Sequence, residues 1–94
     1  MYEEDRNELS DKTQDMKRAI DSLREELQAV DFYRQRAEVC ANENLKKVLI
    51  HNMEEEKEHA AMLIEWMRQN DKTFDYELED YLFSKKEDIT EHHK

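Results

Sequence analysis

Apolar residues in this chain recur at intervals of three and four along two long stretches. In the first, Met16, Ile20, Leu23, Leu27, Val30, then Tyr33 or Arg34, then Ala37 define one face of a helix. In the second, Leu45, Val48, Leu49, Met53, Ala60, Leu63 and Trp66 do the same, and that helix is expected to run to about residue 68. The segment Cys40-Ala41-Asn42-Glu43-Asn44 breaks the pattern between them. Asn42 suits the cap of the second helix, because its side-chain oxygen can take an orphan amide hydrogen. Ser10 is a fair cap for the first, although Thr13 rather than Glu follows it three residues on. Asn70-Asp71-Lys72-Thr73 reads as a turn, with Asn70 able to take the left-handed conformation that ends a helix. A short third helix is expected over 74–83, with Phe74, Leu78, Tyr81 and Leu82 on one side. Residues 1–9 are polar and expected to fray, and the charged tail 84–94 is expected to be solvated.

Helices of roughly 25 to 30 residues span about 40 Å each at 1.5 Å per residue. A hairpin of two such helices is half of a four-helix bundle and should be marginal alone. The expected fold is therefore all-α: an antiparallel two-helix hairpin plus a short C-terminal helix, dimerising into a four-helix bundle. The 94 residues form one domain at most, a half-bundle over 1–94.

Composition strengthens the helical reading. There is no Gly and no Pro, so the residues that tight hairpins and sheet turns need are absent. The charged fraction of 43% would also suit a disordered chain, but the periodicity of the apolar residues argues against that. The net charge of −10 disfavours nucleic acid and anionic membrane as partners and suits a protein that attracts cations. Cys40, the single cysteine, excludes an intrachain disulfide framework and reads as a small buried hydrophobe. No signal peptide or transmembrane run is recognisable, so a cytoplasmic location is the default expectation.

One feature of the second helix breaks the rule for an apolar seam. Within EEEKEHAAMLIEW, residues 54–66, the stripe passes through Glu56 and His59 before reaching Ala60 and Leu63. Their spacing of three stacks the two side chains on one face. On the first helix Glu26 lies three residues after Leu23 and four before Val30, again on the core face. An unpaired carboxylate is costly in an apolar seam, and a shared metal cation would remove the penalty for all three groups. Di-iron carboxylate bundles use one Glu from each of two helices and a Glu-x-x-His from each of the other two. This chain offers half of that set on half of a bundle, and a two-fold dimer would repeat it. Glu56, at the seam centre, is the candidate bridge, with Glu26 and His59 as terminal ligands.

The same pattern admits blander readings. Glu-x-x-His occurs by chance on acidic helices, and the three groups could instead hydrogen-bond across a structural hairpin. They could also hold zinc or calcium without turnover. Glu54, Glu55 and Glu58 read as a solvated face and His51 as a surface residue. His92 and His93 have no specific role expected, and Met53, Met62 and Met67 read as ordinary packing. Tyr33 is either core or a partner whose hydroxyl reaches a metal-bound carboxylate.

The blocks EELQAVDFYRQRAEV (25–39), LIHNMEEEKEHAAMLIEWMRQND (49–71) and YLF (81–83) closely resemble the encapsulated ferritins. The resemblance covers roughly residues 16–83 and implies a two-helix relative of ferritin that becomes active on dimerising. It implies a ferroxidase with an iron pair at the homodimer interface, held by Glu26, Glu56 and His59 of both chains, with Tyr33 beside the metals. Zinc or calcium could substitute for iron. It further implies a ring-shaped decamer that oxidises ferrous iron inside an encapsulin shell, a cytoplasmic nanocompartment that stores the ferric product. Two positions depart from the family pattern. The outer metal-attracting pair of the family's E-E-L-E falls on Glu25 and Gln28, one carboxylate short. Its D-W-Y reads Asp31-Phe32-Tyr33 here. The tail ends at Glu91-His92-His93-Lys94 without the usual shell-targeting peptide, as expected of a truncated chain or of a domain that reaches its shell as part of a fusion. A peroxidase of the rubrerythrin type would need the full ligand set in one chain, which this sequence does not carry.

Overall fold

In the computed structural model, which describes residues 1–91, every regular element is helical. A short 3-10 turn, Arg6–Glu8, precedes α1 (Asp11–Val39), α2 (Glu43–Gln69) and α3 (Lys72–Tyr81). Each long helix begins at a side-chain cap. Ser10 Oγ accepts from the Thr13 amide at 3.1 Å, and Asn42 Oδ1 accepts from the Leu45 amide at 2.9 Å. The three residues between α1 and α2 suffice to reverse the chain, and the two helices pack antiparallel along their length.

Several boundaries differ from expectation. Residues 1–9 do not fray. Asp5 caps the 3-10 turn, and Gln14 Nε2 donates to the Leu9 carbonyl at 3.0 Å, which ties the segment back onto α1. The Tyr2 ring lies 5.0 Å from Lys17 Nζ, a cation–π contact that holds the segment's start. Asn70 is not left-handed; its φ of −114° and ψ of 9° place it in the bridge region, and its side-chain amide donates to the Trp66 carbonyl at 2.8 Å. Among the described residues the left-handed one is Phe83, at φ 58°. The third helix starts two residues earlier than expected because Asp71 Oδ1 accepts from the Phe74 amide at 2.9 Å. Arg68 ties α3 to α2, donating to Glu65 at 2.7 Å and to Asp75 at 2.6 Å. Residues 85–91 are exposed, as expected of a solvated tail; His92 and His93 lie outside the described residues.

The inner faces differ in part from the expectation. On α1 Met16, Ala19, Leu23, Glu26, Val30, Tyr33 and Ala37 form a half-buried or buried row with a regular three-four alternation, and Ile20 is half-buried beside it. Leu27, expected in the stripe, is 53% exposed. On α2 the inner row is Leu49, Met53, Glu56, Ala60, Leu63 and Met67. Beside it runs a second alternation: Leu45, Val48, Asn52, Glu55, His59, Met62 and Trp66. Its apolar members are all exposed, Met62 by 58%, so Met62 is not ordinary packing. A helix with two adjacent seams is built to face two neighbours, as each helix of a four-helix bundle does. Within one chain the inner seam is the one that packs along α1.

The dimensions agree. The radius of gyration is 17.2 Å, against about 12 Å for a compact chain of this length. The accessible surface is 7803 Å², about 2000 Å² more than a compact 11.5 kDa protein exposes. Among the described residues no large side chain is fully buried. Among the described residues no helix is long and apolar enough to cross a membrane.

Candidate metal centre

Glu26, Glu56 and His59 come together. One potential ligand atom from each lies within 4.8 Å of the other two, and among the described residues no other group of three or more acidic, His or Cys side chains does this. Three local facts place them. Glu56 and His59 stack because they are one turn apart on α2. Glu26 sits on the inner row of α1. The antiparallel register fixed by the short connection then brings the middle of α1 opposite the middle of α2.

His59 Nδ1 faces both carboxylates, 3.5 Å from Glu26 Oε2 and 3.4 Å from Glu56 Oε2. These are longer than well-formed N–H···O bonds, so three polar groups converge without closing hydrogen bonds on one another. A cation with bonds of about 2.0–2.2 Å to oxygen and nitrogen would bridge ligand atoms at such separations after small rotations of the side chains. Two carboxylates and one imidazole form a hard, borderline donor set that suits iron and also admits zinc. The two Glu side chains are 24% exposed and His59 is 43% exposed. The open side of the cluster is therefore the His59 side, where α2 presents its second seam.

The other candidates are distributed differently. Tyr33 is half-buried on the inner row, two turns beyond Glu26, and its ring stacks against the Arg36 guanidinium at 5.7 Å. Among the described residues no hydrogen bond joins its hydroxyl to the cluster. Phe32 shares the same guanidinium at 5.7 Å. Glu25 and Gln28 are both exposed on α1 and stand one turn apart. Glu54, Glu55 and Glu58 are exposed, as expected; Lys57 pairs with Glu54 at 3.0 Å and His51 with Glu55 at 3.4 Å. Cys40 is half-buried and its thiol faces the Asn42 carbonyl at 3.5 Å, inside the turn and away from the cluster. The sequence reading missed the second seam of α2. Its signal was present as two interleaved three-four alternations read as one broad stripe.

Comparison with known proteins gives the same fold and a family. The family described as EncFtn-like matches residues 1–85. The chain is 48% identical over 85 residues to a "Ferritin-like protein" of Thermotoga maritima, covering 90% of this chain and 75% of that one. It is 47% identical over 76 residues to an "Encapsulated ferritin-like protein" of Rhodospirillum rubrum, covering 81% of this chain and 54% of that one. This chain thus spans about half the length of the Rhodospirillum protein. The crystal structure of protein ne0167 from Nitrosomonas europaea superposes with a TM-score of 0.88 at 61% identity, covering 90% of this chain and 93% of that one.

Proposed function

The chain belongs to the EncFtn-like family, and we propose that it is a ferroxidase whose di-iron site is completed by a second copy of itself. The observation that carries this is the convergence of Glu26, Glu56 and His59 on the open edge of an incomplete bundle. One chain supplies three ligands, too few for two iron ions. An isologous two-fold dimer places a second Glu26, Glu56 and His59 against the first and doubles the set. The outer seam of α2, with Leu45, Val48, Met62 and Trp66, is the apolar surface that such a dimer covers. The excess of about 2000 Å² per chain is of the size that obligate dimers bury.

Ferrous iron is the substrate. Each of two ions gives one electron to dioxygen or peroxide, and the carboxylate-rich set favours the ferric product. Glu56 from each chain bridges the pair, and Glu26 and His59 are terminal. His59 must be neutral at the ligating nitrogen, so metal binding displaces any proton held at Nδ1 between the two carboxylates. Glu25 and its exposed acidic neighbours raise the local concentration of cations. Like-charged seams repel until a cation neutralises them, so iron also favours assembly. Dimers then associate into a ring of ten chains that supplies an encapsulin shell in the cytoplasm. The name of the Rhodospirillum relative supports the shell partnership.

Metal counting tests this reading. Native mass spectrometry of the protein loaded anaerobically with ferrous iron should show even-numbered assemblies carrying two iron ions per pair of chains. Monomers holding one iron each would contradict the shared site. Binding of zinc or calcium with no oxidation of iron would favour the non-catalytic alternative.

A further inference from the structure

The outer row of α2 has the same character read in either direction. From Leu45 through Val48, Asn52, Glu55, His59 and Met62 to Trp66 it runs apolar, apolar, polar, acidic, polar, apolar, apolar. An antiparallel two-fold contact between two copies of α2 pairs each residue with the one equally far beyond the centre. Centred at Glu55 and Glu56, such a contact sets Leu45 against the partner's Trp66 and Val48 against the partner's Met62. Both pairs are apolar, and all four side chains are exposed in the isolated chain. Glu55 meets its own copy beside the metal ligands, where bound cations offset the repulsion. The remaining pair is Asn52 with the partner's His59.

Each member of that pair has an unmet hydrogen-bonding group within one chain. His59 turns Nδ1 toward Glu26 and Glu56, at 3.5 and 3.4 Å, so Nε2 lies on the far side of the ring. Once Nδ1 holds a metal, the neutral ring carries its proton on Nε2, and that N–H needs an acceptor when the seam closes. Among the described residues neither His59 Nε2 nor the half-buried Asn52 carboxamide makes a hydrogen bond. Asn52 stands seven residues before His59, about 10.5 Å along the axis, and does not reach it within the chain. Apolar neighbours over both would leave two polar groups dry and unpaired, a cost that a bond between them removes.

We infer that Asn52 is a positioning residue for the other chain's metal ligand: its Oδ1 accepts from Nε2–H of the partner's His59. The inference rests on the shared-site reading above. The bond keeps the imidazole proton on Nε2, leaves the Nδ1 lone pair aimed at the metal and fixes the plane of the ring. Two-fold symmetry makes two such bonds, so each chain orients a ligand of the other. Neither ring is held until the seam is in register.

Zinc, which is redox-inert, serves as the probe, titrated into the full metal-free chain against a chromophoric chelator. Asn52→Leu should associate at least as well as the parent, because the seam gains an apolar contact. It should nevertheless bind zinc about 10–100-fold more weakly. Asn52→Asp keeps the acceptor and should bind zinc at least as tightly as the parent. An Asn52 that instead donated to Glu56 on its own helix would lose that bond in both variants. In zinc-loaded protein labelled with ¹⁵N-histidine, the His59 Nε2 proton should exchange with water more slowly in the parent than in Asn52→Leu. The register is read separately, in a Cys40→Ser background at a concentration where the parent is associated. There Val48→Cys combined with Met62→Cys should give a covalent dimer with diamide, and either substitution alone should not. Equal zinc affinity in the parent and Asn52→Leu, Asn52→Asp as weak as Asn52→Leu, equal Nε2–H exchange, or no covalent dimer would each overturn the inference. A parent that neither associates nor oxidises ferrous iron would instead end the shared-site reading, and the inference with it. Sedimentation and ferric absorbance of the parent alone tell the two failures apart.

Discussion

Replacing Trp66 with Ala tests the outer seam as the surface that joins two chains. Trp66 retains 37% exposure in the isolated chain. For a side chain with up to about 250 Å² to bury, that leaves roughly 90 Å² for a partner to cover. At about 25 cal/mol per Å² this is roughly 2 kcal/mol per chain. Two-fold symmetry repeats the loss in the partner, giving roughly 4–5 kcal/mol for the pair. At 1.4 kcal/mol per decade, the dissociation constant should rise by about 10³. The figure is an upper estimate because the interface can relax around the truncation. Sedimentation velocity over a wide concentration range, with and without ferrous iron held anaerobically, reads the shift. Far-ultraviolet circular dichroism confirms that helicity is kept. A variant that stays helical and associates as the parent does would refute the assignment of this face.

Other consequences attach to single residues. Glu56→Ala removes the proposed bridge and should reduce aerobic iron oxidation to the rate of iron in buffer; a full rate in a stopped-flow trace would contradict the ligand assignment. Gln28→Glu restores a second carboxylate one turn from Glu25 and should raise the initial rate at low iron more than at saturating iron. Asn42→Ala removes the α2 cap and should cost about 1 kcal/mol, read as a lower midpoint in urea. The Arg68–Glu65 pair in the last turns of α2 should be unusually acid-resistant. The Arg68 guanidinium, then the Gln69 amide, donate to Glu65 and hold its carboxyl down to about 2 from an ordinary value of 4.5. A lowered pKa means the contribution is fully present above the ordinary value and lost as pH falls through about 2. Amide exchange in the last turns of α2 should therefore stay slow relative to a Glu65→Ala variant down to about pH 3. Equal exchange in the two proteins at pH 5 would show that the Glu65–Arg68 pair does not hold that end of the helix.

Most of the fold was legible because long helices announce themselves by period, and the caps at Ser10 and Asn42 are local chemistry. The exposure of Leu27, next to the inward Glu26, was not. Adjacent residues lie about 100° apart on a helix, and only the position of the sister helix decides which one faces inward. The broad stripe of α2 hid two seams for the same reason. A pattern of threes and fours marks an apolar face but does not say how many neighbours share it. Asp71 was read as part of a turn because Asn70, Asp71 and Thr73 all suit turns, and a cap differs from a turn only in the helix that continues beyond it. Order in residues 1–9 depends on Gln14 reaching back five residues to the Leu9 carbonyl, a contact with no sequence signature. Within the site, the spacing of Glu56 and His59 was fixed by helix geometry alone. Glu26 needed the hairpin register, which the three-residue connection supplies. The role of Tyr33 was open in the sequence, and its stacking on Arg36 is set by a neighbour one turn away on the same helix.

The central claim is that Glu26, Glu56 and His59 hold ferrous iron for oxidation by dioxygen or peroxide. Its most direct test is aerobic addition of ferrous iron to the metal-free protein, following ferric absorbance beside a variant with all three residues changed to Ala. Fast oxidation by the parent, with the variant no faster than buffer, is the expected result. Equal rates in both, at the level of iron in buffer, would contradict the claim and leave the three residues as a structural contact or a site for a redox-inert metal.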